Sequence, residues 1–142
     1  MKKAKTMKLK FERTIAAPPS QVFDGWLNPK TPGTPWHEHD DLILNAKKNG
    51  LFYWLTNGVV HYGRFTELKK ASRIQLTWMS RYTLGEESLV TLTFKKQGKG
   101  TLMTLVHSDL PKDDRAKAHE GGWNYFMDKL VDHYGKVPRK KK

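Results

Sequence analysis

Cysteine is absent from this 142-residue chain. That excludes disulfide frameworks, thiol nucleophiles, thiolate zinc sites and thiol redox switching. Long apolar runs are missing too. The longest aromatic and aliphatic stretch, Leu51 to Leu55, is far short of the roughly 20 residues a membrane-spanning helix needs. No apolar segment follows the basic stretch Met1 to Lys10, so the expectation is a cytoplasmic protein without membrane insertion. Acids are scarce, with 14 Asp and Glu against 26 Lys and Arg and a net charge of +12. Most of that excess sits in Lys2, Lys3, Lys5, Lys8 and Lys10 and in Arg139 to Lys142, which leaves residues 11–138 close to balance. Such ends read as solvated tails that attract polyanions loosely, and without a nucleic-acid-reading module no specific nucleic-acid partner is expected.

Catalytic signatures are equally thin. There is no nucleophile elbow with a serine, histidine and acid in order, and no dinucleotide fingerprint. Gly98-Lys99-Gly100-Thr101 lacks the upstream glycine and following helix of a phosphate loop and reads as a hairpin turn. His37-Glu38-His39-Asp40-Asp41 has the right residue types for a metal. Positions 37, 39 and 41 share one side only if extended, and no further ligand group lies near, so no metal and no cofactor is expected. Asp109, Asp113 and Asp114 read as acids at a helix start rather than as catalysts.

What is present is aromatic and periodic. Leu9, Phe11 and Ile15 alternate with polar residues, predicting a first strand over Lys8 to Ala16. Pro19 followed by Val22, Phe23, Trp26 and Leu27 predicts a short helix ending near Asn28. Pro29, Pro32, Gly33 and Pro35 then impose an irregular, rigid loop up to Trp36. Six strands follow, at Leu42–Ala46, Leu51–Leu55, Val59–Leu68, Arg73–Ser80, Ser88–Lys95 and Thr101–His107. Their short, glycine- or asparagine-centred connections imply an antiparallel meander. Trp123, Phe126, Met127, Leu130, Val131 and Tyr134 recur at helical spacing, Gly135 supplies an end cap, and Pro138 bars continuation. The expected fold class is α+β: one curved antiparallel sheet of about seven strands wrapped on a long carboxyl-terminal helix. The expected division is a basic tail over 1–7, a single domain over 8–136 and a basic tail over 137–142.

The same residues carry a resemblance. Glu12-Arg13, Ala17-Pro18-Pro19, Asn49-Gly50-Leu51-Phe52, Gly63-Arg64-Phe65-Thr66-Glu67, Thr77-Trp78, Gly100-Thr101, and Gly121-Gly122-Trp123, in this order, resemble the START-like (SRPBCC) superfamily with its helix-grip, birch-pollen-allergen-like fold. Within it the chain is most similar to the family related to the carboxyl-terminal domain of the activator of heat-shock-protein-90 ATPase. Two departures are Asn49-Gly50, where the family usually has a double glycine, and the proline-rich loop before Trp36. The resemblance implies a cavity between sheet and long helix, filled by a hydrophobic lipid- or polyketide-like small molecule. Alternatives are a protein-interaction module acting on a chaperone-like ATPase, or a cyclase or hydrolase. A full co-chaperone role is not expected, because the chain has no room for the activator's separate amino-terminal domain.

Trp36, Phe52, Trp54, Phe65, Trp78, Leu105, Trp123 and Met127 are the expected cavity wall, against the plainer reading that they are core. His61 and His107 are either buried hydrogen-bonded groups, the preferred reading, or the polar anchor of the ligand. His119 and His133 need no special role on the last helix. No catalytic residue is assigned.

Overall fold

The computed structural model describes residues 6–135. The basic tails lie outside the described residues, except for Thr6 and Met7, which already belong to the first strand.

The chain runs β1 (Thr6–Ile15), α1 (Pro19–Trp26), β2 (Asp41–Leu44), β3 (Leu51–Thr56), β4 (Val59–Lys69), β5 (Arg73–Trp78), β6 (Ser88–Gln97), β7 (Gly100–Pro111) and α2 (Asp114–Tyr134). The strands form one antiparallel sheet in the order β1-β7-β6-β5-β4-β3-β2, so β1 returns to pair with β7 and every other neighbour is a hairpin partner. This is the α+β arrangement that the periodicity predicts and the helix-grip fold that the resemblance implies. The Asn57-Gly58 turn joining β3 to β4 has φ of 50° and 76°, the doubly positive backbone that a tight hairpin demands. Bulges between Met7 and Leu9 and between Phe65 and Glu67 bend the sheet, the first opposite Asp109 at φ 64°.

Alternation puts Phe52 and Trp54, Ile74, Leu76 and Trp78, Val90, Leu92 and Phe94, and Met103, Leu105 and His107 on the buried concave face, as expected for each strand. α2 crosses that face with Trp123, Met127 and Leu130 inward. Asp113 caps it by accepting from the Arg115 amide. From β1, the Arg13 guanidinium donates to Asp128 at 3.0 Å and to Asn124 at 2.7 Å, tying the helix to the sheet edge.

Several ends differ from the sequence-based expectation. α1 stops at Trp26, two residues early, and β5 stops at Trp78, because Ser80 caps a short 3₁₀ turn over Arg81–Thr83 through the Tyr82 amide. β7 runs on to Pro111, because its partner β1 begins earlier than Lys8.

The proline-rich loop is a clasp rather than a surface excursion. It folds into a 3₁₀ turn at Pro35–His37 and sends Trp36, fully buried, into the centre of the interior. The Trp36 indole N–H donates to the Trp26 carbonyl, and the Trp54 indole N–H donates to the Glu38 carbonyl. Glu38 then accepts from Tyr125 and pairs with Lys129 on α2. Gly33, at φ 97°, lies so close to α2 that a β-carbon there would fall 2.3 Å from the Leu130 amide nitrogen.

Candidate functional site

Space lies between sheet and helix at the end where the β3–β4 hairpin meets the first half of α2. There a cavity of about 340 Å³ opens between the β3–β4 hairpin, β5, the Arg81–Thr83 turn and the amino-terminal half of α2. The sheet contributes Trp54, Val59, His61 and Trp78 to its wall. The turn adds Arg81 and Tyr82, and the helix adds His119, Gly122, Trp123 and Phe126. Rings dominate: the Trp78 and Trp123 centroids are 5.1 Å apart, and Trp54 lies 4.3 Å from His61 and 5.9 Å from Phe126.

Of the expected wall residues, the structure brings together Trp54, His61, Trp78 and Trp123 around this space. Trp36, Phe52, Phe65, Leu105 and Met127 are not on it. They fill the interior beyond Trp78, each 2% exposed or less. The physical reason is Trp36, whose ring packs against Trp26, Phe52, Trp54, Phe65 and Trp78 with centroids 5.1–6.4 Å away. The clasp thus plugs the part of the sheet–helix space that the resemblance leaves open. Residues 37–41 spend their side chains elsewhere: His37 bonds the Pro29 carbonyl, His39 the Trp36 carbonyl, and Glu38 reaches α2.

His107 sits directly behind the wall and is fully buried. An indole nitrogen can only donate, so the Trp123 N–H at 3.0 Å fixes His107 Nδ1 as acceptor and Nε2 as the protonated nitrogen. Nε2 lies 2.8 Å from Ser88 Oγ, and Ser88 in turn donates to the Trp78 carbonyl. This relay gives both His107 ring nitrogens and the Ser88 hydroxyl a partner, holds the Trp123 indole and ties His107 to the Trp78 backbone. Burial, together with the charge of nearby His119, pushes the His107 pKa well below the usual histidine value.

His61 and His119 face the cavity from opposite sides. A carbonyl can only accept, so the bonds from His61 Nδ1 to the Trp54 carbonyl and from His119 Nδ1 to the Arg115 carbonyl place the proton on Nδ1 in both rings. Burial lowers the His61 pKa to about 4, and burial also lowers that of His119. Both are neutral imidazoles at neutral pH, each with Nε2 as an unprotonated acceptor. Sequence reasoning left out His119, Tyr82 and Phe126 from the wall. The signal for His119 was available: it precedes Trp123 by four residues, one turn down the same stripe. The signal for the turn was Ser80 and Thr83, a capping pair that ends β5 and aims Tyr82 at the helix.

The wall holds no aspartate or glutamate. Its chemistry is therefore apolar contact with a few neutral hydrogen-bonding groups and one cationic side chain, Arg81, whose guanidinium lies 5.4 Å over the Tyr82 ring at the outer end. No helix among the described residues is long and apolar enough to cross a membrane.

No curated protein matches the sequence significantly. Among solved structures, Mll3558 from Rhizobium loti aligns with a TM-score of 0.76 at 19% identity over 90% of this chain and 96% of that one. The Aha1 dimer from Colwellia psychrerythraea aligns with a TM-score of 0.72 at 16% identity, over 92% and 97%. PFC0360w, an HSP90 activator from Plasmodium falciparum, aligns with a TM-score of 0.68 at 20% identity, over 82% and 87%. Likeness at these identities establishes the shared fold. Residues 16–135 match the family described as Activator of Hsp90 ATPase homolog 1-like protein, and by that match the chain belongs to it.

Proposed function

We propose that this protein binds a compact aromatic small molecule in the cavity between the β3–β4 hairpin and the first half of α2, without catalysis. The observation that carries this reading is the bare helix backbone in the wall. Gly122 stands inside a 21-residue helix, where a glycine costs roughly 1 kcal/mol relative to alanine. A β-carbon on Gly122 would meet nothing within 4 Å, so packing within the protein does not require the glycine there. The space it leaves belongs to the cavity. A volume of about 340 Å³ is at the small end of ligand pockets. Trp36 and Phe52 close the interior beyond Trp78, which favours a ring system over a long acyl chain.

The test is calorimetric titration of the protein with naphthalene-sized aromatics and with fatty acids. Saturable binding of the ring compounds, abolished in Gly122→Leu, is expected. Binding of none, or binding indifferent to Gly122→Leu, removes the proposal.

A second reading, action on a chaperone ATPase, is supported by family membership and by an exposed apolar strip on the outer face of β2, β3 and β4. Ile43 and Leu51 are about 60% exposed there, flanked by Val60 and Tyr62. Its test is ATP turnover by an Hsp90-type chaperone of the same organism, and no change at stoichiometric excess rejects it.

A further inference from the structure

We infer that the cavity selects a neutral hydroxylated aromatic, a phenol or naphthol, whose O–H donates to the free Nε2 of His61 or His119. This deepens the small-molecule reading above and rests on it. The two rings line the cavity from the hairpin and from the helix, and in each the nitrogen held by the backbone is Nδ1. The nitrogen left to an occupant is therefore an acceptor in both cases. The lone pairs of two acceptors repel a carboxylate oxygen and welcome a hydroxyl hydrogen.

The charge state supports the same choice. Burial keeps both imidazoles neutral at neutral pH. The groups packed around them are equally uncharged: Trp54 and Val59 on the hairpin, Trp78 on β5, Tyr82 on the turn and His107 on β7, leaving Arg81 as the charged side chain of the wall. With no carboxylate in the wall, an organic cation has no counter-charge.

Three probes of one shape separate the possibilities: 2-naphthol, its methyl ether and 2-naphthoate, measured by equilibrium dialysis at neutral pH. The expected order puts 2-naphthol about tenfold tighter than either of the others, the value of one well-placed hydrogen bond away from water. His61→Phe and His119→Phe keep an aromatic ring and remove the acceptor, so the advantage of naphthol over its ether falls to about threefold or less in one of them or in the pair. Equal binding of naphthol and ether in the unmodified protein, or tightest binding of naphthoate, overturns the inference. If that equal binding is still blocked by Gly122→Leu, the small-molecule reading stands without the hydroxyl preference. If no probe binds, or Gly122→Leu changes nothing, both fall together. The comparison of probes on the unmodified protein decides the question even where a histidine variant fails to fold.

Discussion

Acidification is the perturbation whose effect follows most directly from the interior. Three histidines, His61, His107 and His119, are buried with pKa values below the ordinary 6.5, chiefly because burial penalises the charged ring. In the unfolded chain all three titrate near 6.5. Between the unfolded and folded values the unfolded state binds more protons, so stability is fully present above about pH 6.5 and is lost as the pH falls toward the folded values. For His61, a fall to about 4 corresponds to roughly 3 kcal/mol across the window. His61 contributes about 1.4 kcal/mol per pH unit while it titrates only in the unfolded state, and His107 and His119 act in the same direction. Against a total of about 5–15 kcal/mol for an ordinary domain, the His61 share alone is a readily measured fraction. Glu38, lowered from 4.5 with its bonds to Tyr125 and Lys129 outweighing a desolvation that opposes them, adds its loss only below that window. The assay is urea denaturation followed by far-ultraviolet circular dichroism at steps between pH 7.5 and 5. His61→Phe should reduce the slope by up to about 1.4 kcal/mol per pH unit. A stability flat between pH 6.5 and 5, or a slope unchanged in that variant, refutes the argument.

Other expectations concern single residues. Gly33→Ala combines a positive φ with a collision against the α2 backbone and should cost about 2–4 kcal/mol, read as a lower urea midpoint. Gly121→Ala meets open space on an exposed helix position and should raise stability by about 1 kcal/mol without altering ligand binding. Asp113→Ala removes the cap of α2 and should cost about 1 kcal/mol by thermal unfolding. Trp36→Ala should cost about 3–5 kcal/mol and open the interior behind Trp78, which probe binding would register as a larger capacity for apolar ligands.

Strand order and the helix were legible because their signals are local. Alternation marks the buried face of β5 and β6 directly, and the glycine and asparagine turns fix hairpin neighbours. The stripe from Trp123 to Tyr134 points at the sheet because a lone helix has nowhere else to bury it. The extent of the cavity was not legible, since it depends on where the loop carrying Trp36 goes. That loop has prolines but no period, and its course is set by tertiary bonds from Trp36 to Trp26 and from Glu38 to Tyr125. His107 illustrates the same limit. Its strand position was readable, while the relay through Ser88 and Trp123 joins residues on β6, β7 and α2 that no sequence spacing relates.

The Trp36 cluster also makes the protein its own optical reporter. Trp26, Trp36, Trp54, Trp78 and Trp123 form an unbroken chain of neighbouring indoles, each within 6.4 Å of the next. Excitation absorbed by any one of them migrates through the set before it is emitted. A quencher seated beside Trp78 therefore darkens the emission of all five at once.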